Sequence, residues 1–263
     1  MELPIFQLDA FASRQFGGNP ASVCPLPEWI PARTMQAIAT ENNQAETAFF
    51  VPSGSGYELR WFTPAIEVKL CGHATLASAF VLFEYLNFTG DSVTFETKSG
   101  DLAVRRLEDG RLLLDFPAIP PQRCQPHERL IDGLGTQPLE VLRGDYYLAI
   151  YPRERDVHTL NPNMDALAQL DRIGVIATAP GDEDGVDFVS RFFAPAAGIP
   201  EDPATGSAHC TLTPYWSQRL GRKNMHALQV SRRVGEFWVE DRDDRTWIAG
   251  NVKPYLRGTI EIE

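Results

Sequence analysis

The chain is 263 residues long with a formal net charge of −11, a length suited to one large domain or two of ordinary size. Hydrophobic residues make up 43% and charged residues 22%, which allows a packed core and excludes wholesale disorder. The acidic balance argues against nucleic acid, whose phosphates it would repel, but a local site can still hold a small anion.

Four cysteines, Cys24, Cys71, Cys124 and Cys210, are widely spaced. Without a CxxC pair or His partners in register they suggest neither zinc ligation nor a disulfide framework. The first residues, Met1 to Phe6, read directly into a strand and lack a basic, then apolar, leader. No apolar run approaches the ~20 residues that span a bilayer. These features lead us to expect a reduced, cytoplasmic protein with neither metal nor membrane partner.

In chain order, residues 3–10 read as a strand, followed by the turn-rich Gly17-Gly18-Asn19-Pro20 and an extended run from Ala21 to Cys24. Pro31 opens a helix reaching about Asn42, with Met35, Ile38 and Ala39 on one face. Glu46 to Val51 and Tyr57 to Phe62 read as strands, and Pro52-Ser53-Gly54 closes the first. Ala74 to Leu86 is a helix apolar on nearly every side, a pattern that belongs in an interior. Val93–Thr97, Leu102–Arg106 and Leu112–Phe116 read as short strands, and the proline-rich stretch 117–126 as a linker.

The second half repeats this order. Arg60-Trp61-Phe62-Thr63-Pro64 matches Arg191-Phe192-Phe193-Ala194-Pro195, and an Ala-Thr pair then opens a helix in each half, at Ala74-Thr75 and Ala204-Thr205. Gly100-Asp101-Leu102 matches Gly235-Glu236-Phe237, and Ala48 to Gly54 matches Ile176 to Asp182 around Pro52 and Pro180. Several matches in one order, about 130 residues apart, indicate a domain-sized duplication rather than a solenoid. The expected fold class is α+β: two pseudo-symmetric lobes, each a curved, mostly antiparallel sheet wrapped around a central helix. We place the lobes at 1–118 and 119–263, with the last strand free to cross back to the first, and expect the site in the cleft between them.

Two segments carry candidate chemistry. Cys71-Gly72-His73-Ala74-Thr75 opens the first helix, and Glu201-Asp202-Pro203-Ala204-Thr205-Gly206-Ser207 opens the second. Asp202 and Pro203 suit an N-cap and a first helical position, so capping alone would explain them. Alternatively, the two helix N-termini offer free N–H groups and positive dipole ends to an anion, and Gly72 and Gly206 leave it room to approach. His73 could simply be hydrogen-bonded locally. Ser207 lacks a Gly-x-Ser-x-Gly elbow, so a hydrolase triad is weakly supported. The other histidines read as structural or surface residues. Glu46 heads an apolar strand, either as an exposed residue or as a base held in partly apolar surroundings, and its counterpart in the second half is about Gly174.

Phe16-Gly17-Gly18-Asn19-Pro20-Ala21, Asn43 to Phe50, Cys71 to Thr75 and Asp202 to Ala208 together resemble the PhzF-like family, from about residue 4 to the C-terminus. The family is similar to diaminopimelate epimerase and proline racemase. The resemblance implies a cofactor-independent, homodimeric isomerase that moves a proton between carbons of a small carboxylate. It places the family's catalytic residues on Glu46 (the acid/base), His73, Asp202 and Ser207, with Asn19, Gly72, Thr205 and Gly206 as candidate substrate-binding residues. Related epimerases use two thiols, one at each helix start. Here Cys71 stands at the first, and the second lies near Pro203, which cannot act. A Cys71-dependent racemase or epimerase and a non-catalytic small-anion-binding protein are the alternatives.

Overall fold

A computed structural model describes residues 1–263. Its contacts divide the chain into two units, residues 1–115 with 249–263, and residues 116–248. The division falls within a strand just ahead of the proline-rich stretch.

In the first unit, β1 (Glu2–Ala10) and β2 (Asn19–Pro25) lead into α1 (Ala32–Asn42), then β3 (Glu46–Ser53), β4 (Gly56–Phe62) and β5 (Glu67–Val68). After α2 (Gly72–Tyr85) come β6 (Ser92–Thr97), β7 (Gly100–Arg106) and β8 (Leu112–Pro117), whose last residues enter the second unit. That unit continues with β9 (Gln122–Arg123), α3 (Glu128–Leu134), β10 (Glu140–Arg143), β11 (Tyr147–Ile150), α4 (Glu154–His158), α5 (Met164–Leu167) and β12 (Val175–Pro180). It ends with β13 (Phe188–Ala194), β14 (Ile199–Asp202), α6 (Gly206–Leu220), β15 (Asn224–Gln229), β16 (Gly235–Arg242) and most of β17 (Arg245–Gly250). The last strand, β18 (Val252–Glu261), pairs antiparallel with β1 and so belongs to the first unit.

The two units share one pairing scheme. In the first, β1–β2 is antiparallel, β2–β3 parallel, β3–β4 and β4–β5 antiparallel, β4–β6 parallel and β6–β7 antiparallel. In the second, β10–β11, β11–β12, β12–β13, β13–β14, β13–β15 and β15–β16 repeat those senses in the same order. The duplication expected from short sequence matches is therefore present strand by strand, and most pairings in each unit are antiparallel.

Each unit buries one helix. In α2, His73 to Ala79, Val81, Leu82 and Phe83 are all buried, so nearly its whole circumference is core. The more polar α6 still buries Ala208 to Thr213 and Trp216; the Trp216 indole stacks on Phe188 at 5.5 Å and donates to Thr178 Oγ1 at 3.0 Å. Pro214 removes an N–H from the interior of α6, and the carbonyl of Cys210, one turn before it, accepts the Ile119 N–H at 2.9 Å. Where strands have one solvated face their burial alternates, as in β6.

Candidate active site

In the first unit, Gly18 positions the start of β2. It has φ +55°, and a Cβ there would lie 2.1 Å from the Ala10 carbonyl oxygen, so only glycine fits. The turn delivers Asn19, fully buried, as the first residue of β2. Two residues on, Ala21 is the register partner of Glu46 at the head of β3. The apolar run after Glu46 is buried and draws the carboxylate inward, leaving the residue 8% exposed.

Cys71 is the extended N-cap of α2, and no side chain caps that helix start. The helix begins at Gly72 rather than at Ala74 as expected, because Thr75 already closes the first turn: both its N–H (3.1 Å) and its hydroxyl (2.6 Å) donate to the Cys71 carbonyl. His73 is thereby the second helical residue. Its Nε2 lies 3.0 Å from Glu46 Oε2, and its Nδ1 lies 3.5 Å from Cys71 Sγ. The Glu46 oxygen has no donor aligned on it, so the short contact acts through charge more than through a directed hydrogen bond.

Burial alone would lower the His73 pKa, but the Cys71 sulfur and the Glu46 carboxylate beside it outweigh burial and hold it well above its ordinary value. Burial, reinforced by Glu46, pushes the Cys71 thiol up to about 11. At neutral pH Cys71 is therefore a thiol and lends no charge, so of these two neighbours only Glu46 then favours the protonated imidazole. The ligand atoms of Glu46, Cys71 and His73 all lie within 4.8 Å of one another. A cation there would have to displace both the imidazolium and the thiol protons.

In the second unit, Asp202 ends β14. Contrary to the expectation from the Asp-Pro pair, it is not an N-cap and Pro203 is not in the helix: Thr205 is the N-cap and α6 begins at Gly206, again with no side-chain cap. The reason lies in β15 and the residues after it. The fully buried Gln229 accepts from the Thr205 N–H at 2.8 Å and donates to the Asp202 carbonyl at 2.6 Å and to Thr205 Oγ1 at 3.1 Å. Ser231 donates to the Pro203 carbonyl at 2.8 Å. These bonds hold residues 202–205 in a bent loop ahead of the helix. The Thr205 hydroxyl donates to Asp202 Oδ2, fixing the carboxylate's direction.

Ser207 is the second helical residue of α6, and its hydroxyl lies 3.0 Å from the phenol of the half-buried Tyr146. The fully buried His209 donates from Nδ1 to the Thr205 carbonyl at 2.9 Å and stacks on Phe237; burial lowers its pKa to about 4, so it is neutral. This agrees with the structural role expected for it.

Two forked ion pairs, one inside each unit, give the two stretches of sequence a common register. Arg60 on β4 grips Glu67 on β5 at 2.7 and 2.9 Å, and Arg191 on β13 grips Glu201 on β14 at the same distances. From Glu67 and Glu201 the chain runs the same length to each N-cap, so Cys71 matches Thr205, Gly72 matches Gly206 and His73 matches Ser207. The Ala-Thr pairs used in the sequence comparison are out of step by about one helical turn, and the position matching Cys71 is Thr205, not one near Pro203. Cys210 lies further along α6, with its thiol pushed up to about 12 by burial.

The structure thus joins Glu46 with His73 in one unit and Asp202 with Thr205 in the other. Asn19 and Gly72 lie on the same unit as Glu46, and Gly206 and Ser207 on the same unit as Asp202. Gln229 and Tyr146 were not singled out from the sequence.

The family model for phenazine biosynthesis-like proteins matches residues 8–252. A Pseudomonas aeruginosa protein named an uncharacterized isomerase is 47% identical over 262 residues, covering 100% of both chains. A crystal structure of a PhzF-family phenazine biosynthesis protein from Enterococcus faecalis superposes with a TM-score of 0.96 at 44% identity, again over 100% of each chain. A hydroxyproline epimerase from Agrobacterium vitis shares the fold at a TM-score of 0.59 and 10% identity, covering 98% of this chain and 92% of the other. With matches of this extent over a duplicated α+β frame, the chain belongs to the phenazine biosynthesis-like (PhzF) family.

Proposed function

We propose that the chain is an isomerase that moves a proton between carbons of a small carboxylate substrate, without cofactor or metal, with Glu46 as the acid/base. The observation that carries this is the buried Glu46–His73 contact at 3.0 Å beside the uncapped start of α2. Removing a proton from carbon needs a base held close, aimed and shielded from bulk water. Burial and the apolar strand shield Glu46, and His73 at 3.0 Å fixes its direction. Glu46 takes a proton from one carbon, the electron pair moves into the substrate's unsaturated system, and the same carboxylic acid returns the proton to another carbon. With Glu46 we keep His73, Asp202 and Ser207 as the candidate catalytic residues, and Asn19, Gly72, Thr205 and Gly206 as the candidate substrate-binding residues. The active form in this reading is a homodimer, as the family resemblance implies, and acts in the cytoplasm, as the cysteine usage led us to expect.

Two observations disfavour the Cys71-dependent racemase. The Cys71 thiol is protonated at neutral pH, and the matching N-cap, Thr205, has its hydroxyl engaged with Asp202. The test is incorporation of solvent deuterium into small ring carboxylates, screened first by thermal shift. Glu46→Gln should reduce exchange by about 10²–10⁴-fold while binding persists, and Cys71→Ser should keep most of it. A dead Cys71→Ser beside an active Glu46→Gln would assign thiol chemistry instead. Binding without exchange in the unaltered protein would make it a binding protein.

A further inference from the structure

The matched frames of the two units show a residue exchange. Arg60 faces Phe49 across β3–β4, and Arg191 faces Ala177 across β12–β13. Counting back along β3 and β12 from those partners sets Glu46 against Gly174. On the neighbouring parallel strand Glu46 has the small Ala21 beside it, whereas Gly174 has Tyr146, one residue before the Tyr147–Val175 pair. The Tyr146 ring packs edge-on to Phe192 at 4.8 Å, and a Cβ on Gly174 would lie 3.2 Å from Tyr146 Cδ1 and 2.5 Å from Phe192 Cζ. Gly174 is glycine because two aromatic rings fill the space that a side chain there would need.

In each unit the group at this place then reaches the second residue of the buried helix. Glu46 meets His73 at 3.0 Å, and Tyr146 meets Ser207 at 3.0 Å. The second unit has the same two-residue device with its outer member in the loop just ahead of the adjacent strand β11, a phenol–hydroxyl pair in place of a carboxylate–imidazole pair.

We propose that Tyr146 is a positioning residue for Ser207: its phenol donates to Ser207 Oγ, which turns the serine's own proton outward as the donor to an oxygen of the bound carboxylate. A phenol is the stronger acid of the two hydroxyls, so it is the better donor, and donating into an O–H strengthens that group's next hydrogen bond. This assignment rests on the carboxylate-ligand reading above. It adds that the place matching the Glu46–His73 pair in the second unit supplies neutral donors rather than a base.

The test compares Tyr146→Phe, Ser207→Ala and the double variant. The phenylalanine ring keeps the packing on Gly174 and Phe192, so its melting temperature should stay near that of the unaltered protein. With benzoate as the probe, each single variant should bind about 10-fold more weakly, as expected for one lost hydrogen bond to a charged group. The double variant should bind no more weakly than Ser207→Ala alone, because Tyr146 acts through Ser207. Without ligand, a tyrosine-ring ¹³C NMR titration should show the Tyr146 phenol ionising at higher pH in Ser207→Ala, since once the phenol loses its proton the Ser207 hydroxyl can turn and donate to the phenolate. Additive losses, unweakened binding by Tyr146→Phe, or an unmoved Tyr146 titration would overturn the proposal. If the unaltered protein binds no benzoate, the carboxylate reading fails and the NMR titration decides the Tyr146–Ser207 pair by itself.

Discussion

The Gln229 amide makes three hydrogen bonds to residues 202–205 and has no exposure to water. Gln229→Leu keeps much of the volume but strands the buried Thr205 N–H, at about 1–3 kcal/mol for a buried donor left without a partner. Urea unfolding should show that loss, and Asp202 should lose its fixed direction with it. Neither Gln229 nor Tyr146 could be found from the sequence. Gln229 sits between Leu228 and Val230 and reads as an ordinary strand position. Tyr146 stands in a loop beside another tyrosine, and its partner Ser207 is far along the chain. Glu46 and His73 were legible because each lies in a motif next to the element that positions it.

Strands and buried helices were legible where their periodicity was strong. The buried face of α1, Met35, Ile38 and Ala39, is the one the spacing indicates. The start of α6 was not legible, because an Asp-Pro pair has the local chemistry of a helix opening and only buried bonds from Gln229 and Ser231 override it. The short α4 and α5 lack the length for a periodic signal. The forked pairs, which hold the strands feeding α2 and α6, offer a test at this scale. Arg60, aided by Lys98, lowers the Glu67 pKa to about 2 against burial. A carboxylate depressed in the folded state stabilises above its unfolded value of 4.5, and that contribution is lost as pH falls from 4.5 towards 2. Urea midpoints measured from pH 6 down to 2.5 should therefore fall less steeply in Glu67→Gln than in the unaltered protein. An identical slope would show that the fork contributes nothing in acid.

For the whole molecule, the ordered matches between the halves made a duplicated frame readable before any coordinates. They left open whether the last strand crosses back, since a strand's partner depends on pairing across the entire chain; residues 249–263 do return to the first unit. That return places Glu2 opposite Glu261, and the Ile262 N–H donates to the Met1 carbonyl at 2.8 Å. One unit is thus interrupted in sequence by the other, although the two ends of its chain lie side by side.

Adjacent ends make the order of the polypeptide negotiable. A circular permutant that joins residue 263 to residue 1 through a short glycine-serine linker and opens between Pro120 and Pro121 would run through most of the second unit first. The first unit would then follow almost uninterrupted, as 249–263, linker and 1–115. Every strand pairing survives that rewriting. The permutant should melt within a few degrees of the parent and keep its benzoate affinity. Its folding should quicken, because β1 and β18 become neighbours along the chain instead of its two extremes.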